Sequence, residues 1–574
     1  MMRACVILAI GLALAGGMVV VPSAMAQPIR YVDDNAAPSG DGLSWGTAYT
    51  DLQVALLDAI FSGGTVTEIR VAAGTYRPDA ATGDKTLSFH LLTGVRIYGG
   101  FPNGGGALAD RDPSVHVSEL SGDLAGDDLP GFVNYFDNSY NVVVADAGVD
   151  PTAVLDGFVI SGGNAWGGDL PKHRGGGMHI GPNDNPKIVN CTFNANSGFF
   201  GGAVFIGGTS DSTFNACAFS DNYANHGGGV CIDLAAATLN YCGFFGNETP
   251  HGGGAMLATK SDVELVNCLF AGNSATGTLS CGGGVHLDGN VASLINCVFS
   301  GNFAANQGGA VYNNSALTVA NCTFSANASE APAGGLYTRQ GGTITNSVFW
   351  DNEYLNGTAE VAQIYNASSS TLTVSHCCVQ NWTGEGSGNI SSNPRFKQYP
   401  SPGSDGKWDG VNDDYGNLRL RSDSPCIDAG KDSAVLRVID YDFRSRIAGC
   451  RVDMGAYEAT PPDGDGDGVA DACDDCPSTP VGDSVDSSGC STADDDGDGV
   501  LNDEDDCADT PSCATNIDAS GCAIDTDGDG NVDGCEPPAQ GCCGATGPVA
   551  PLGLAVGMLL LGRFRRHVTR GKRG

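Results

Sequence analysis

Three aspartate-rich stretches, each beginning 31 residues after the last, carry the residue types best placed to do chemistry. In "DGDGDGVADACD", Asp463, Asp465, Asp467, Asp471 and Asp474 take positions 1, 3, 5, 9 and 12, with Gly468 at 6. "DDDGDGVLNDED" arranges Asp494, Asp496, Asp498, Asn502 and Asp505 in the same way around Gly499. "DTDGDGNVDGCE" does so with Asp525, Asp527, Asp529, Asp533 and Glu536 around Gly530. Hard oxygen ligands at this spacing, folded about a turn glycine, suit Ca2+. An acidic disordered linker would carry similar charge, but three matches in one register favour cation loops.

Residues 461–536 hold 23 Asp and Glu and no Lys or Arg, within a chain of 574 residues and net charge −38. This stretch is therefore a module of its own. So acidic a chain does not bind nucleic acid by bulk electrostatics. The ion's expected role is mechanical: without it, like charges repel and the module loosens.

A second constellation lies mid-chain, where Asp233 and Asp288 accompany His286. Two carboxylates about 6.5–9.5 Å apart are what an inverting glycosidase needs. Whether these meet depends on the elements that carry them.

Those elements repeat. "NCTFNAN" at 190 returns as "ACAFSDN", "YCGFFGN", "NCLFAGN", "NCVFSGN", "NCTFSAN" and "NSVFWDN", placing Cys191, Cys217, Cys242, Cys268, Cys297, Cys322 and Ser347 at spacings of 26, 25, 26, 29, 25 and 25. Between them runs a Gly-rich turn and strand, from "GGGMHI" at 175 to "GGLYT" at 334. Short alternating apolar stretches punctuated by Gly and Asn indicate strands rather than helices. A unit of this length, with two or three short strands, cannot bury its apolar side alone, whereas stacked copies form one continuous core. The expected fold is all-β: a right-handed parallel β-helix, each coil adding about 4.8 Å.

Within "VELVNCLF", Val263 and Leu265 should face inward, Asn267 should turn the corner, and Cys268 and Phe270 should point in from the next strand. Asn tolerates the left-handed backbone of a tight corner. The second asparagine recurs without a gap at Asn196, Asn222, Asn247, Asn273, Asn302, Asn327 and Asn352, as a hydrogen-bonded amide ladder requires. The cysteine column reads as small apolar filling, because parallel Cβ vectors are poorly aimed for disulfides.

The outward column after each Gly-rich turn is expected to run His179, Phe205, Cys231, Met256, His286, Tyr312, Tyr337. The next should run Gly181, Gly207, Asp233, Ala258, Asp288, Asn314, Arg339. Asp233 and Asp288 would then stand two coils apart, about 9.6 Å, at the wide limit for an inverting pair. Neither column holds a dense Asp cluster with a basic residue, as a calcium-assisted lyase would need. The aromatic positions could instead stack sugars or meet a protein.

The paired "GGA" and "FxxN" signatures resemble the repeats of polymorphic outer membrane proteins and, more widely, right-handed parallel β-helix proteins of bacterial surfaces. "RYVDDNAAPSGDGLSWGTAYTDLQVAL", "IRVAAGTYRP", "VRIYGGF" and "LDGFVISGGNA" are similar to the N-terminal part of such proteins, and "NPRF", "LRSDSPCIDAG" and "VDMGAYE" to their closing segment. The family mixes adhesins, autotransporter passengers and polysaccharide-degrading enzymes, so the resemblance implies fold more than function. With "DDCP" and "GC" flanking the acidic loops, that module resembles thrombospondin type 3 repeats, and Cys476–Cys490 and Cys507–Cys522 are the bridges expected there.

Both ends read as addresses. Arg3, the apolar run Val6 to Val21, and Ala24 and Ala26 before Gln27 describe a secretory signal peptide. At the other end "GPVAPLGLAVGMLLLG" followed by "RFRRHVTRGKRG" is short for a membrane span. With "GCC" before it, this tail resembles a bacterial C-terminal sorting signal. The expected organisation is signal peptide 1–26, cap and first coils 27–110, β-helix 111–400, closing segment 401–460, calcium repeats 461–537 and membrane or sorting tail 538–574. The expected function is a secreted, envelope-anchored surface protein, an adhesin or structural binder, whose partner is a polysaccharide or cell-surface protein. A polysaccharide-degrading lyase or glycoside hydrolase is the alternative. No long set of alternating strands follows the repeat to form an autotransporter barrel.

Overall fold

The computed structural model describes residues 28–535, except 80, 147, 168–171, 356, 369, 407, 409–411, 461, 472, 495, 502, 503, 505, 508, 527, 529 and 530. The signal-peptide and tail assignments, and Asn502, Asp505, Asp527, Asp529 and Glu536, lie outside the described residues. The chain divides into two compact units at 477/478. Among the described residues no helix is long and apolar enough to cross a membrane.

The first unit is a parallel β-solenoid of about 12 turns, built from four sheets of 12, 11, 8 and 10 strands. One coil runs Asp211–Asn215, Ala218–Ser220, Tyr223–His226 and Val230–Asp233, one strand in each sheet, before Ala236–Asn240 returns to the first. There are thus four strands per coil rather than two or three. The extra one follows the second asparagine and is only two residues long in coils such as Glu248–Thr249 and Ser274–Ala275. Two residues are too few to show alternation in a sequence.

The interior is columnar. Phe193, Phe219, Phe244, Phe270, Phe299, Phe324 and Phe349 stack nearly parallel, with successive centroids 5.2, 4.6, 4.7, 4.7, 4.7 and 4.3 Å apart. Cys191, Cys217, Cys242, Cys268, Cys297 and Cys322 are buried free thiols, and Cys377 resumes their column after Ser347. The corner residues Asn190, Asn267, Asn296, Asn321 and Asn346 take φ of 49 to 54°, as expected. Ala216 and Tyr241 hold the same conformation in two coils.

The second asparagines form the ladder. Each Nδ2 donates to the Oδ1 one coil on, at 3.1, 2.9, 2.8, 2.9, 2.8 and 2.8 Å from Asn196 through Asn352. Each backbone N–H in the run joins the same acceptor, and Nδ2 also reaches back to a phenylalanine carbonyl, as Asn273 does to Phe244 at 3.0 Å. Every donor in this buried column is satisfied, which burial of polar groups demands.

Both ends of the solenoid are packed. The helix Leu52–Phe61, N-capped by Asp51 on the Gln53 N–H at 2.8 Å, adds Leu52, Ala55, Leu56 and Ala59 to the core. Toward the other end, the antiparallel pair Phe396–Gln398 and Asn417–Leu420 joins Met454, Ala456 and Tyr457 in a second cluster against the outward residues Val298, Val348 and Trp350. Arg446, 1% exposed, ties this segment down by donating to the carbonyls of Asp453 and Gly455 at 3.0 and 2.6 Å.

Candidate functional site

Strand register places Asp233 opposite Thr259 and Thr259 opposite Asp288, so the two carboxylates do stand two coils apart on one face. One stretch of the expected columns is corrected. Met256 pairs with Val230 and Val285 and is fully buried, so Leu257, not Met256, lies between Cys231 and His286, and Thr259 replaces Ala258. The turn there begins one glycine later than in its neighbours, and a one-residue slip exchanges the faces of a strand.

The aromatic column faces away from the solenoid core but is not a surface strip. His179, Phe205, Cys231, Tyr312 and Tyr337 are all at most 9% exposed. Arg174 lies over the Phe205 ring at 4.6 Å, while Cys281 and Ala333 from the turns pack with Tyr312 and Tyr337. Burial pushes the pKa of His286 down to about 4, and its Nδ1 lies 3.3 Å from the Cys281 carbonyl oxygen. Asp288 is exposed and accepts a hydrogen bond from Asn314 Nδ2 at 2.8 Å. The imidazole is thus held toward its neutral form and engaged by the backbone, near Asp288, while Asp233 lies two coils away.

A groove forms elsewhere, along the outer side of the eight-stranded sheet. It encloses about 1040 Å³ between the coils and Pro400, Pro402, Gly406 and Trp408. Its carboxylates are Asp221, Glu248, Glu330, Asp351 and Glu353, its largest ring is Trp408, and among the described residues no Lys or Arg lines it. Burial raises the pKa of both Asp221 and Asp351. Register carries Glu248 through Ser274, Phe303 and Ala328 to Glu353, four coil steps or about 19 Å. The wall rests on two glycines: a Cβ at Gly272 would lie 2.0 Å from Tyr415 Oη, and one at Gly301 2.5 Å from the Trp408 ring. Both also hold positive φ, 64° and 63°, which Ala326 and Asp351 adopt at the equivalent turns, so the close approach is what requires glycine here.

The acidic loops share one internal geometry. Asp463 accepts from the Gly466 and Gly468 N–H groups at 2.8 and 3.1 Å, and Asp494 from Gly497 and Gly499 at 2.7 and 3.0 Å. Asp525 accepts from Gly528 at 2.7 Å, and Asp533 from the Thr526 N–H at 2.9 Å, as Asp471 does from Gly464 at 2.6 Å. Carboxylate oxygens of Asp463, Asp465 and Asp467 lie within 4.8 Å of one another, as do those of Asp494, Asp496 and Asp498. In both loops one oxygen of the position-5 aspartate, Asp467 or Asp498, is sealed from solvent without a donor. Burial and the charges of Asp465, Asp467 and Asp471 raise the pKa of Asp474, which accepts from the Cys476 N–H at 2.8 Å. This oxygen set fits a hard divalent cation.

Disulfides hold these loops. Cys507–Cys522 forms as expected, and Cys476 and Cys490 are both disulfide-bonded. Cys450–Cys473 and Cys513–Cys535 also form; their half-cystines lie outside the "DDCP" signature that suggested the other bridges.

The fold therefore defines a β-solenoid protein with aspartate loops on a disulfide frame. A family described as "Right handed beta helix region" matches residues 134–270 and again 228–397. No curated protein matches the chain. Among solved structures, "Crystal structure of pectate lyase Pel9A" aligns at a TM-score of 0.39 and 14% identity, covering 75% of this chain and 96% of that one. Likeness at that level carries nothing about activity.

Proposed function

We propose that this chain is a secreted, envelope-anchored surface protein, an adhesin or structural binder, whose β-solenoid holds an extended ligand and whose aspartate loops bind calcium. The groove is the observation that carries the reading. It runs across several coils, so it suits a polymer rather than a small molecule. Trp408 offers a stacking face, and five carboxylates, with no Lys or Arg among the described lining residues, accept hydrogen bonds from hydroxyls or ammonium groups while repelling an acidic polymer. A neutral glycan or a basic surface protein segment is the ligand class. The carboxylates Glu248 and Glu353 are too far apart for a glycosidase pair. The loops supply stiffness when Ca2+ neutralises them.

The test is co-sedimentation of the full chain with neutral, basic and acidic polysaccharides in calcium, followed for both binding and released sugar ends. Binding to a neutral or basic polymer without cleavage, weakened about tenfold by Asp351→Asn with Glu353→Gln, is the expected result. Cleavage lost on Asp233→Asn or Asp288→Asn would replace this reading with the enzyme alternative.

A further inference from the structure

A further acidic cluster lies inside the solenoid unit, on residues that belong neither to the aspartate loops nor to the lining of the groove. Asp123, Asp127 and Asp137 bring carboxylate oxygens within 4.8 Å of one another. Two oxygens on opposite sides of a calcium ion, each at about 2.4 Å, are about 4.8 Å apart. Asp128 follows Asp127 directly in the chain.

Acidic clusters are common on surfaces, but this one is partly sealed. Both carboxylate oxygens of Asp137 are shut off from solvent and have no hydrogen-bond donor. Asn138, 1% exposed, fixes its amide by donating Nδ2 to Asp128 Oδ2 and to the Gly162 carbonyl, each at 2.7 Å. Its Oδ1 is left buried and unpartnered, as is Oδ1 of Asp128. Buried carboxylate oxygens without donors carry a penalty that a cation removes. Arg77 stands at the same loop, its Nε donating to the Asp123 backbone carbonyl at 2.6 Å.

The local chain also repeats the aspartate-loop pattern. Asp123 Oδ1 accepts from the N–H three residues on, Gly126, at 2.7 Å, and Oδ2 from the N–H five residues on, Asp128, at 3.3 Å. Asp463 and Asp494 make the same two bonds.

We propose that Asp123, Asp127 and Asp137, with Asp128 and the Asn138 amide oxygen alongside, bind a calcium ion that pins residues 122–138 to the flank of the solenoid. All donors are oxygens, which selects a hard cation, and the mixture of carboxylates and amide suits the irregular shell of Ca2+. The pinned segment is the one whose Tyr135 hydroxyl donates to the Ala195 carbonyl at 2.9 Å, and whose Phe132 ring meets Tyr223 at 5.9 Å.

The full chain, stripped with chelator and dialysed against calcium alone, tests this by counting bound equivalents in wild type, Asp137→Asn and the exposed-site variant Asp127→Asn. Each variant should bind one equivalent fewer than wild type while keeping its thermal unfolding midpoint in chelator. Protease should cut within 122–138 at least tenfold faster in calcium-free than in calcium-loaded wild type, with that difference abolished in Asp137→Asn. An unchanged count in Asp127→Asn would overturn the proposal even if Asp137→Asn misfolded. So would a segment equally resistant with and without calcium.

Discussion

The solenoid and the acidic loops solve the same problem, repeated polar residues at close range, in opposite ways. In the amide ladder each Asn donates to the next and accepts from the last, so the column closes upon itself. In the loops, Asp463, Asp465 and Asp467 turn carboxylates toward one another, and none can donate. An amide carries both halves of a hydrogen bond whereas a carboxylate carries one. The first region is therefore complete as a polypeptide; the second is the one we propose a cation completes.

Removing divalent cations should separate the two regions most sharply. Chelation is expected to open 478–535 to protease more than tenfold while the solenoid's β-sheet circular dichroism persists. Joint loss of both signals would refute the contrast. Within the solenoid, Phe270→Ala should cost about 4 kcal/mol in urea unfolding. Asn273→Ala should cost about 2–3 kcal/mol, because it strands the Asn247 backbone N–H and removes one of the two bonds made by Asn247 Nδ2 and by Asn302 Oδ1. A cost for Asn273→Ala below about 0.5 kcal/mol would make the ladder ornamental.

Acid divides the regions by a different route. Burial holds His179 and His286 at about 4, below the ordinary value of 6.5. The unfolded chain thus binds more protons between those values, and solenoid stability should be full above pH 6.5 and decline toward pH 4. At pH 5.5 the solenoid should therefore already have begun to soften. His179→Phe should reduce that slope, read as the unfolding midpoint at pH 5 against pH 7. The smallest effect expected is Cys268→Ala, about 1 kcal/mol, with the buried thiols unreactive toward alkylating agents until the protein unfolds.

Much of the interior was legible because stacking forces one residue type per column. The Phe and second-Asn columns and the inward set Val263, Leu265, Cys268 and Phe270 stand where the spacing put them. The outer surface was less legible, for a physical reason. Outward positions are read correctly only if the turn starts at the same glycine in each coil, and at 252–256 it does not. Nor does a column's own sequence reveal what covers it. Turn residues such as Cys281 and Ala333 close over Tyr312 and Tyr337, and 400–408 makes a wall from residues distant in sequence. Asp221 and Asp351 occupy equivalent places just before the second Asn, a signal present in the sequence that acquires meaning only beside that wall.

The ladder ends at Gln363, whose Oε1 accepts from Asn352 Nδ2 at 2.8 Å and whose Nε2 donates to the Asn352 carbonyl at 2.9 Å. One glutamine on the short helix Glu360–Gln363 thus stands in for the rung that an eighth coil asparagine would supply. Because every rung donates to the coil after it and accepts from the coil before it, a whole coil can be duplicated or lost by recombination and its neighbours will still find matching partners. A single-residue insertion inside a coil has no such escape. The molecule's length is therefore a quantity that can evolve in whole-coil increments, with Gln363 as the terminator that any longer or shorter version can keep.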